Sequence, residues 1–84
     1  MDVRTPEEYS RGHISNALNI DYYATDFQEQ LDKLPRDKEY LLYCRTGNRS
    51  GHTLKTMQEM GFRHVYNLRG GISQWNAEGL PLTW

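Results

Sequence analysis

Short apolar segments alternate with segments of helical character along this chain. Thr5, with Pro6 next to it and Glu8 three positions on, has the form of a capping box, which predicts a short helix that runs to about Arg11. The apolar segment 17–20 that follows is short enough to be a strand. The start of the chain therefore predicts one helix and then one strand.

The rest of the chain continues this alternation. A second cap pattern at residues 25–28 predicts a helix that reaches about residue 34. Residues 40–43 are a continuous apolar run, which is typical of a buried strand in a parallel sheet. Apolar residues recur at helical spacing from 50 to 60 and predict a helix there. A strand at 64–68 and a last helix at 72–78 complete the pattern.

Strands that alternate with helices predict an α/β fold with a small, mostly parallel sheet and helices on both of its faces. The 84 residues predict a single domain, residues 1–84, near the size at which one core is large enough to be stable alone. Only Val3 precedes the first cap as a strand-like residue, so we expect the N-terminal strand to be truncated.

Composition and charge disfavour several classes of function. The 10 Lys and Arg residues are balanced by 11 Asp and Glu residues, so no global charge favours nucleic acid or an anionic membrane surface. The chain has one cysteine and no Cys-x-x-Cys pair, which disfavours disulfide scaffolds, thioredoxin-type redox motifs and zinc knuckles. No segment resembles a signal peptide or a membrane span. We therefore expect a cytoplasmic protein with no metal, cofactor, nucleic-acid or membrane partner.

The single cysteine, Cys44, stands between the predicted strand 40–43 and the predicted helix 50–60. Ligands of open α/β sheets bind beyond the carboxyl ends of the strands, which is where this residue falls. In a loop that leads into a helix, backbone N–H groups and the positive end of the helix dipole point at the group that lies within the loop. These donors, with Arg45 or Arg49, favour a thiolate whose pKa lies below the usual value of about 8.5. The sequence leaves open which arginine faces the substrate.

The residues that follow Cys44 predict a cradle for negative charge. Gly47 lets the backbone curl so that successive amides converge, and Asn48 tolerates left-handed conformations. Thr46 and Ser50 are expected to cap the following helix or to support the loop by hydrogen bonds. We predict that Cys44 is the catalytic nucleophile. The predicted substrate-binding residues are Arg45, Thr46, Gly47, Asn48, Arg49 and Ser50.

A thiolate in such a cradle can take up sulfur. It would attack the outer sulfur of thiosulfate, or of another sulfur donor, and form a cysteine persulfide held by the loop amides. Cyanide, a small thiol or a protein thiol would then accept the sulfur, and neither step needs a general base. Because this chemistry requires neither Asp2 nor Arg4, we interpret these two residues as a structural ion pair or hydrogen-bond bracket.

Four blocks of the sequence resemble the rhodanese (thiosulfate sulfurtransferase) domain. These blocks are Asp2-Val3-Arg4-Thr5-Pro6-Glu7-Glu8-Tyr9, then Gly12-His13-Ile14 with Ala17 and Asn19-Ile20, then Tyr43-Cys44-Arg45-Thr46-Gly47-Asn48-Arg49-Ser50, and finally Gly70-Gly71-Ile72 with Trp75. The resemblance implies a single-domain thiosulfate sulfurtransferase in which Cys44 forms the persulfide and residues 45–50 form the active-site loop. At the N-terminus, where the family usually has a further strand, the chain departs from the pattern, which leaves open a larger parent protein.

Two other functions are compatible with this pattern. A rhodanese-like module could carry sulfur to a partner protein domain, or regulate that domain, with its activity on thiosulfate incidental.

Phosphatases and arsenate reductases of the same superfamily also resemble this sequence, but their active-site loop is one residue longer, Cys-x5-Arg. Four residues separate Cys44 from Arg49 here, and the shorter loop favours a single sulfur atom over a tetrahedral anion.

Overall fold

A computed structural model describes residues 1–84 and confirms the α/β class. The helices and strands are, in chain order, α1 (Pro6–Ser10), α2 (Phe27–Asp32), β1 (Glu39–Leu42), α3 (Asn48–Glu59), β2 (His64–Asn67) and α4 (Gly71–Ala77). The longest of them, α3, has 12 residues. None of the helices combines the length and the apolar character that crossing a membrane would require.

The sheet is built on one parallel pair, β1 and β2. The two strands are in register from Glu39 opposite His64 to Leu42 opposite Asn67. The helix α3 lies between them in sequence and supplies the crossover that a parallel pair requires. The parallel arrangement predicted from the apolar run at 40–43 is therefore confirmed.

The predicted strand at 17–20 is wrong. Within that segment only Asn19 forms a bridge, to Asp2, and Asp2 forms a second bridge to Tyr43. Asn16 has a φ of 67° directly before the segment, so the chain turns there. Because Asp2 is the only residue that the segment meets in a bridge, no ladder propagates along it. The sheet thus extends beyond β1 by single bridges.

The two predicted helix caps have different outcomes. At α1 the capping box forms as predicted: the Glu8 amide donates to Thr5 Oγ1 at 3.3 Å, and the Thr5 amide donates to Glu8 Oε1 at 3.1 Å. At α2 the helix begins at Phe27, and the side chain of Asp26 makes no cap hydrogen bond. Instead, Asp26 Oδ1 accepts a hydrogen bond from Gln30 Nε2 at 2.8 Å. A helical side-chain pair has replaced the predicted cap.

One hydrophobic core joins α2 and α3 to the sheet, through Leu31 and Met57 respectively. Its buried members are Ile20, Leu31, Leu42, Met57, Phe62 and Val65. Neighbouring residues of a strand point to opposite faces, so Leu41 lies on the face away from this core. Leu41 and Tyr66 are opposite each other in register and are 51% and 53% exposed. The helices therefore cover this second face only in part.

The helix α3 begins at Asn48, two residues before the predicted start. Gly47 precedes it with a φ of 108°, a conformation that glycine adopts without steric cost. The chain turns at this glycine directly from the loop into the helix. As a result, Asn48 and Arg49, which were predicted to precede the helix, form the first turn of α3 together with Ser50.

Candidate active site

The start of α4 anchors the segment that follows β1. The amide of Ile72 donates to the carbonyl oxygen of Cys44 at 2.9 Å, and the amide of Ser73 donates to that of Arg45 at 3.0 Å. Gly71 permits this approach, because a Cβ at its position would overlap both carbonyl oxygens. Residues 44–50, hereafter the Cys44 loop, are therefore held at one end by α4 and at the other by α3.

Hydrogen-bond donors surround the sulfur of Cys44. Its Sγ accepts a hydrogen bond from the Gly47 amide at 3.1 Å and lies 3.4 Å from Ser50 Oγ. The residue is only 1% exposed. Burial raises the pKa of the thiol, whereas hydrogen bonds from Ser50 and from the amides of Gly47 and Thr46 lower it. The hydrogen bonds outweigh burial, so the pKa of Cys44 lies below its usual value, in the direction that the sequence predicts.

The side chains of the other predicted loop residues differ in their exposure to solvent. The side chains of Arg45, Thr46 and Asn48 lie at the surface, whereas Ser50 is fully buried against the sulfur. Neither loop arginine donates a hydrogen bond to Cys44 Sγ. The donors at the sulfur are thus backbone amides and one hydroxyl. The amides surround the sulfur because the first turn of α3 directs its N–H groups back into the loop.

Arg49 binds a carboxylate of the protein. Its two terminal nitrogens donate to Glu8 Oε1 and Oε2 at 2.8 and 3.0 Å, and its side chain is 16% exposed. Hydrogen bonding to Arg49 lowers the pKa of Glu8 to about 2, and the same pair raises the pKa of Arg49. Glu8 belongs to the capping box of α1. The pair therefore links α1 to the Cys44 loop, whereas Arg45 forms no ion pair.

Sequence reasoning missed Asn67 as a member of the site. This residue ends β2, and its Oδ1 accepts a hydrogen bond from Ser50 Oγ at 2.6 Å. Its Nδ2 lies 3.5 Å from the carbonyl oxygen of Gly47. The amide of Asn67 thus contacts both the hydroxyl beside the sulfur and the glycine that turns the loop. The signal that could have found it is its position, because β2 ends at the same sheet edge as Cys44.

Asp2 and Arg4 form the expected structural ion pair. Asp2 is fully buried and Arg4 is 6% exposed. Arg4 Nη2 donates to Asp2 Oδ2 at 2.7 Å and to the carbonyl oxygen of Gly12 at 2.7 Å. A paired and hydrogen-bonded charge is the form in which ionised groups are tolerated in an interior. The bracket fixes the N-terminal segment and the chain after α1 against each other.

The family model for the rhodanese-like domain matches residues 1–78 of this sequence. The chain belongs to the rhodanese-like domain family. This confirms the resemblance inferred from the four sequence blocks.

Several relatives of this rhodanese-like chain are named as sulfurtransferases. A protein named sulfurtransferase from Allochromatium vinosum is 35% identical over 82 residues, which cover 98% of this chain and 75% of the relative. The putative sulfurtransferase YtwF of Bacillus subtilis is 40% identical over 96% of the chain and 76% of the relative. The thiosulfate sulfurtransferase GlpE of Coxiella burnetii is 37% identical over 90% of the chain and 69% of the relative.

Solved structures of the family have the same fold. The crystal structure of a rhodanese-related protein from Thermoplasma volcanium matches 99% of this chain and 80% of its own, with a TM-score of 0.89 and 35% identity. The rhodanese-like fold of the chain is therefore established at the level of both sequence and structure.

This rhodanese-like site has the parts that a sulfur nucleophile requires. The buried sulfur faces donors that stabilise negative charge, and the loop around it is braced by Glu8 and Asn67. No three histidine, cysteine, aspartate or glutamate side chains lie together as ligands for a metal ion. The arrangement can hold an anionic sulfur at the end of β1.

Proposed function

We propose that this rhodanese-like domain is an enzyme that transfers sulfane sulfur from thiosulfate, or from a persulfide donor, to cyanide or a thiol. The observation that carries the proposal is the set of N–H and O–H donors around Cys44 Sγ, which favours the thiolate. The relatives named sulfurtransferase support general sulfur transfer, and GlpE supports thiosulfate as the donor.

The proposed reaction has two steps. In the first, the Cys44 thiolate attacks the outer sulfur of thiosulfate, the S–S bond of thiosulfate breaks, and its electron pair leaves with sulfite. Cys44 then carries a persulfide whose terminal sulfur is anionic. In the second, cyanide or a thiolate attacks that terminal sulfur, and the electron pair of the persulfide bond returns to Cys44 Sγ. Charge and electrons balance in each step without an added oxidant or reductant.

The Cys44 loop would bind the substrate in this scheme. The amides of Thr46, Gly47 and Ser50, which lower the pKa of Cys44, would also stabilise the terminal sulfur. Residues 45–50 would form the substrate-binding set, and Arg49 would contribute its backbone because its guanidinium binds Glu8. Because Cys44 is the only cysteine and acts as a free thiol, the reducing cytoplasm is the compartment that we propose.

Steady-state kinetics of thiocyanate formation test this function. Varying thiosulfate at several fixed cyanide concentrations should give parallel double-reciprocal lines, because the persulfide separates the two half-reactions. Cys44→Ser should abolish turnover while its circular dichroism spectrum matches that of the parent chain. Intersecting lines, or turnover that survives in a folded Cys44→Ser variant, would contradict the proposed mechanism.

A second candidate is a module that carries sulfur to, or regulates, a partner protein domain. The chain matches only 21% of the length of a relative in Mycobacterium tuberculosis named as the probable adenylyltransferase/sulfurtransferase MoeZ, at 38% identity. That relationship supports the use of such a domain within a larger protein. Efficient loading of Cys44 by a protein persulfide, together with negligible turnover of thiosulfate, would favour this candidate over the first.

A further inference from the structure

An open groove lies beside the Cys44 loop. Its volume is about 310 Å³. Its lining comes from the N-terminal segment at Arg4, from α1 and the two residues after it, from the start of the Cys44 loop, from α4, and from Leu82. We call it the basic groove. It adjoins the loop because Ser73, one of its lining residues, donates its amide to the carbonyl oxygen of Arg45, another. The volume falls at the lower end of the range for small-molecule sites.

Two of the four charged residues that line the basic groove are neutralised within the protein. Arg4 is paired with the buried carboxylate of Asp2 at 2.7 Å. Glu8, the only acidic residue of the lining, holds Arg49 through both of its oxygens. These two pairs contribute no net charge to the groove.

The other two charged residues, Arg11 and Arg45, are left without a partner. Both are exposed, and neither forms an ion pair. The groove therefore carries two uncompensated positive charges. The exposed side chains of Ser73 and Asn76 add neutral hydrogen-bond donors from α4. Guanidinium groups bind carboxylates with paired, charge-assisted hydrogen bonds. The lining of the basic groove is therefore suited to bind an organic anion that carries carboxylate groups.

We propose that the basic groove binds the carboxylate groups of the thiol that accepts sulfur from Cys44, so that the favoured acceptors are small thiols bearing carboxylates. The proposal rests on the proposed sulfur transfer and adds the substrate class of its second step. The acceptor thiolate attacks the terminal sulfur of the persulfide, the S–S bond to Cys44 breaks, and its electron pair returns to Sγ. Arg11 and Arg45 offset the repulsion between the two anionic sulfurs by binding the carboxylates of the acceptor.

This proposal is tested by single-turnover discharge of the persulfide from protein that has already been loaded with sulfur. The second step is then measured independently of the loading step. Two probe thiols are compared, mercaptosuccinate with two carboxylates and uncharged 2-mercaptoethanol, with each rate constant divided by the thiolate fraction. For the parent chain we expect the ratio of the two rate constants to be on the order of tenfold or more. In Arg11→Gln and in Arg45→Gln the ratio should fall roughly threefold or more, and in the double variant it should approach one.

Two controls make the result specific. Arg63 is exposed and unpaired at the amino end of β2, so Arg63→Gln should keep the ratio of the parent chain. Succinate, which has the carboxylates but no thiol, should slow discharge by mercaptosuccinate in the parent chain and not in the double variant.

The outcomes separate the two claims. A ratio that is the same in the parent chain and in the double variant, from protein that loads with sulfur, would overturn the acceptor proposal and leave the proposed function intact. A folded parent chain that never loads with sulfur would overturn the proposed function, and the acceptor proposal with it.

Discussion

Glu8 binds Arg49 through both carboxylate oxygens, at 2.8 and 3.0 Å, across 41 residues of sequence. The pair joins α1 to the first turn of α3, and the same carboxylate closes the capping box of α1 on Thr5. Arg49 is thereby committed to a contact within the protein. Arg45 is the loop arginine whose charge no carboxylate neutralises. The Glu8–Arg49 pair underlies the first two predictions.

Loss of the Glu8 carboxylate should destabilise the fold. Glu8→Gln removes the charge that pairs with Arg49, and we expect the free energy of unfolding to fall by about 1–2 kcal/mol. Urea denaturation followed by circular dichroism measures the change. Glu7→Gln is the matched control, because Glu7 is the exposed neighbour on the same helix and forms no ion pair. Equal stability of the two variants would contradict a supporting role for the pair.

The same pair should make stability depend on acid pH. Arg49, with smaller contributions from hydrogen bonds of Thr5, lowers the pKa of Glu8 from 4.5 to about 2, so this carboxylate stays ionised to lower pH in the folded state than in the unfolded state. The stabilisation is present above pH 4.5 and is lost as the pH falls toward 2. The difference in free energy of unfolding between the parent chain and Glu8→Gln should therefore shrink over that interval. A difference that stays constant would show that the pair does not titrate as described.

Ser50 and Asn67 should shift the pKa of Cys44 in opposite directions. The hydroxyl of Ser50 has one hydrogen and two acceptors, Asn67 Oδ1 at 2.6 Å and Cys44 Sγ at 3.4 Å. Ser50→Ala removes a donor to the thiolate and should raise the pKa of Cys44. Asn67→Ala leaves the hydrogen of the Ser50 hydroxyl free to bond to the sulfur, and it should therefore lower the pKa of Cys44.

Ultraviolet absorbance of the thiolate against pH measures these shifts, with Cys44→Ser as the blank. The rate of alkylation by iodoacetamide should follow the same titration, because the thiolate is the reactive form. A pKa that rises in both variants would show that Asn67 supports the loop without competing for the hydroxyl hydrogen.

Gly71→Ala should disrupt the anchor between α4 and the Cys44 loop. An added Cβ meets the carbonyl oxygens of Cys44 and Arg45, and the position has a φ of 57°. We expect the free energy of unfolding to fall by about 2–5 kcal/mol, which is the sum of the backbone strain and the steric overlap. Gly79→Ala is the matched control, because its φ of 74° is similar and no atom lies within 4 Å of the added Cβ. Thermal unfolding compares them, and equal losses would rule out the overlap.

Features set by local sequence were predictable. The cap of α1 depends on Thr5 and Glu8, three positions apart, and it forms as predicted. The apolar run before Cys44 identified β1, and the family blocks identified the fold. Helix starts were less accurate, since the left-handed turn at Gly47 begins α3 two residues early.

Features set by distant contacts were not predictable from one sequence. Asn67 reaches Ser50 across 17 residues, and no local pattern marks it as a partner of that hydroxyl. The segment 17–20 has strand-like composition, but a strand needs a neighbour along its whole length, and only Asp2 bridges to it. Charge pairing has the same limit: the sequence left Arg45 and Arg49 equivalent, and Glu8 distinguishes them only in the folded chain.

Intact mass spectrometry of the purified chain, before and after incubation with thiosulfate, tests whether Cys44 carries the transferred sulfur. We expect a gain of the mass of one sulfur atom, located on Cys44, which cyanide removes with formation of an equal amount of thiocyanate. The Cys44→Ser variant should show no gain. A folded parent chain that gains no sulfur from thiosulfate or from a persulfide donor, or that gains it elsewhere than on Cys44, would contradict sulfur transfer through Cys44.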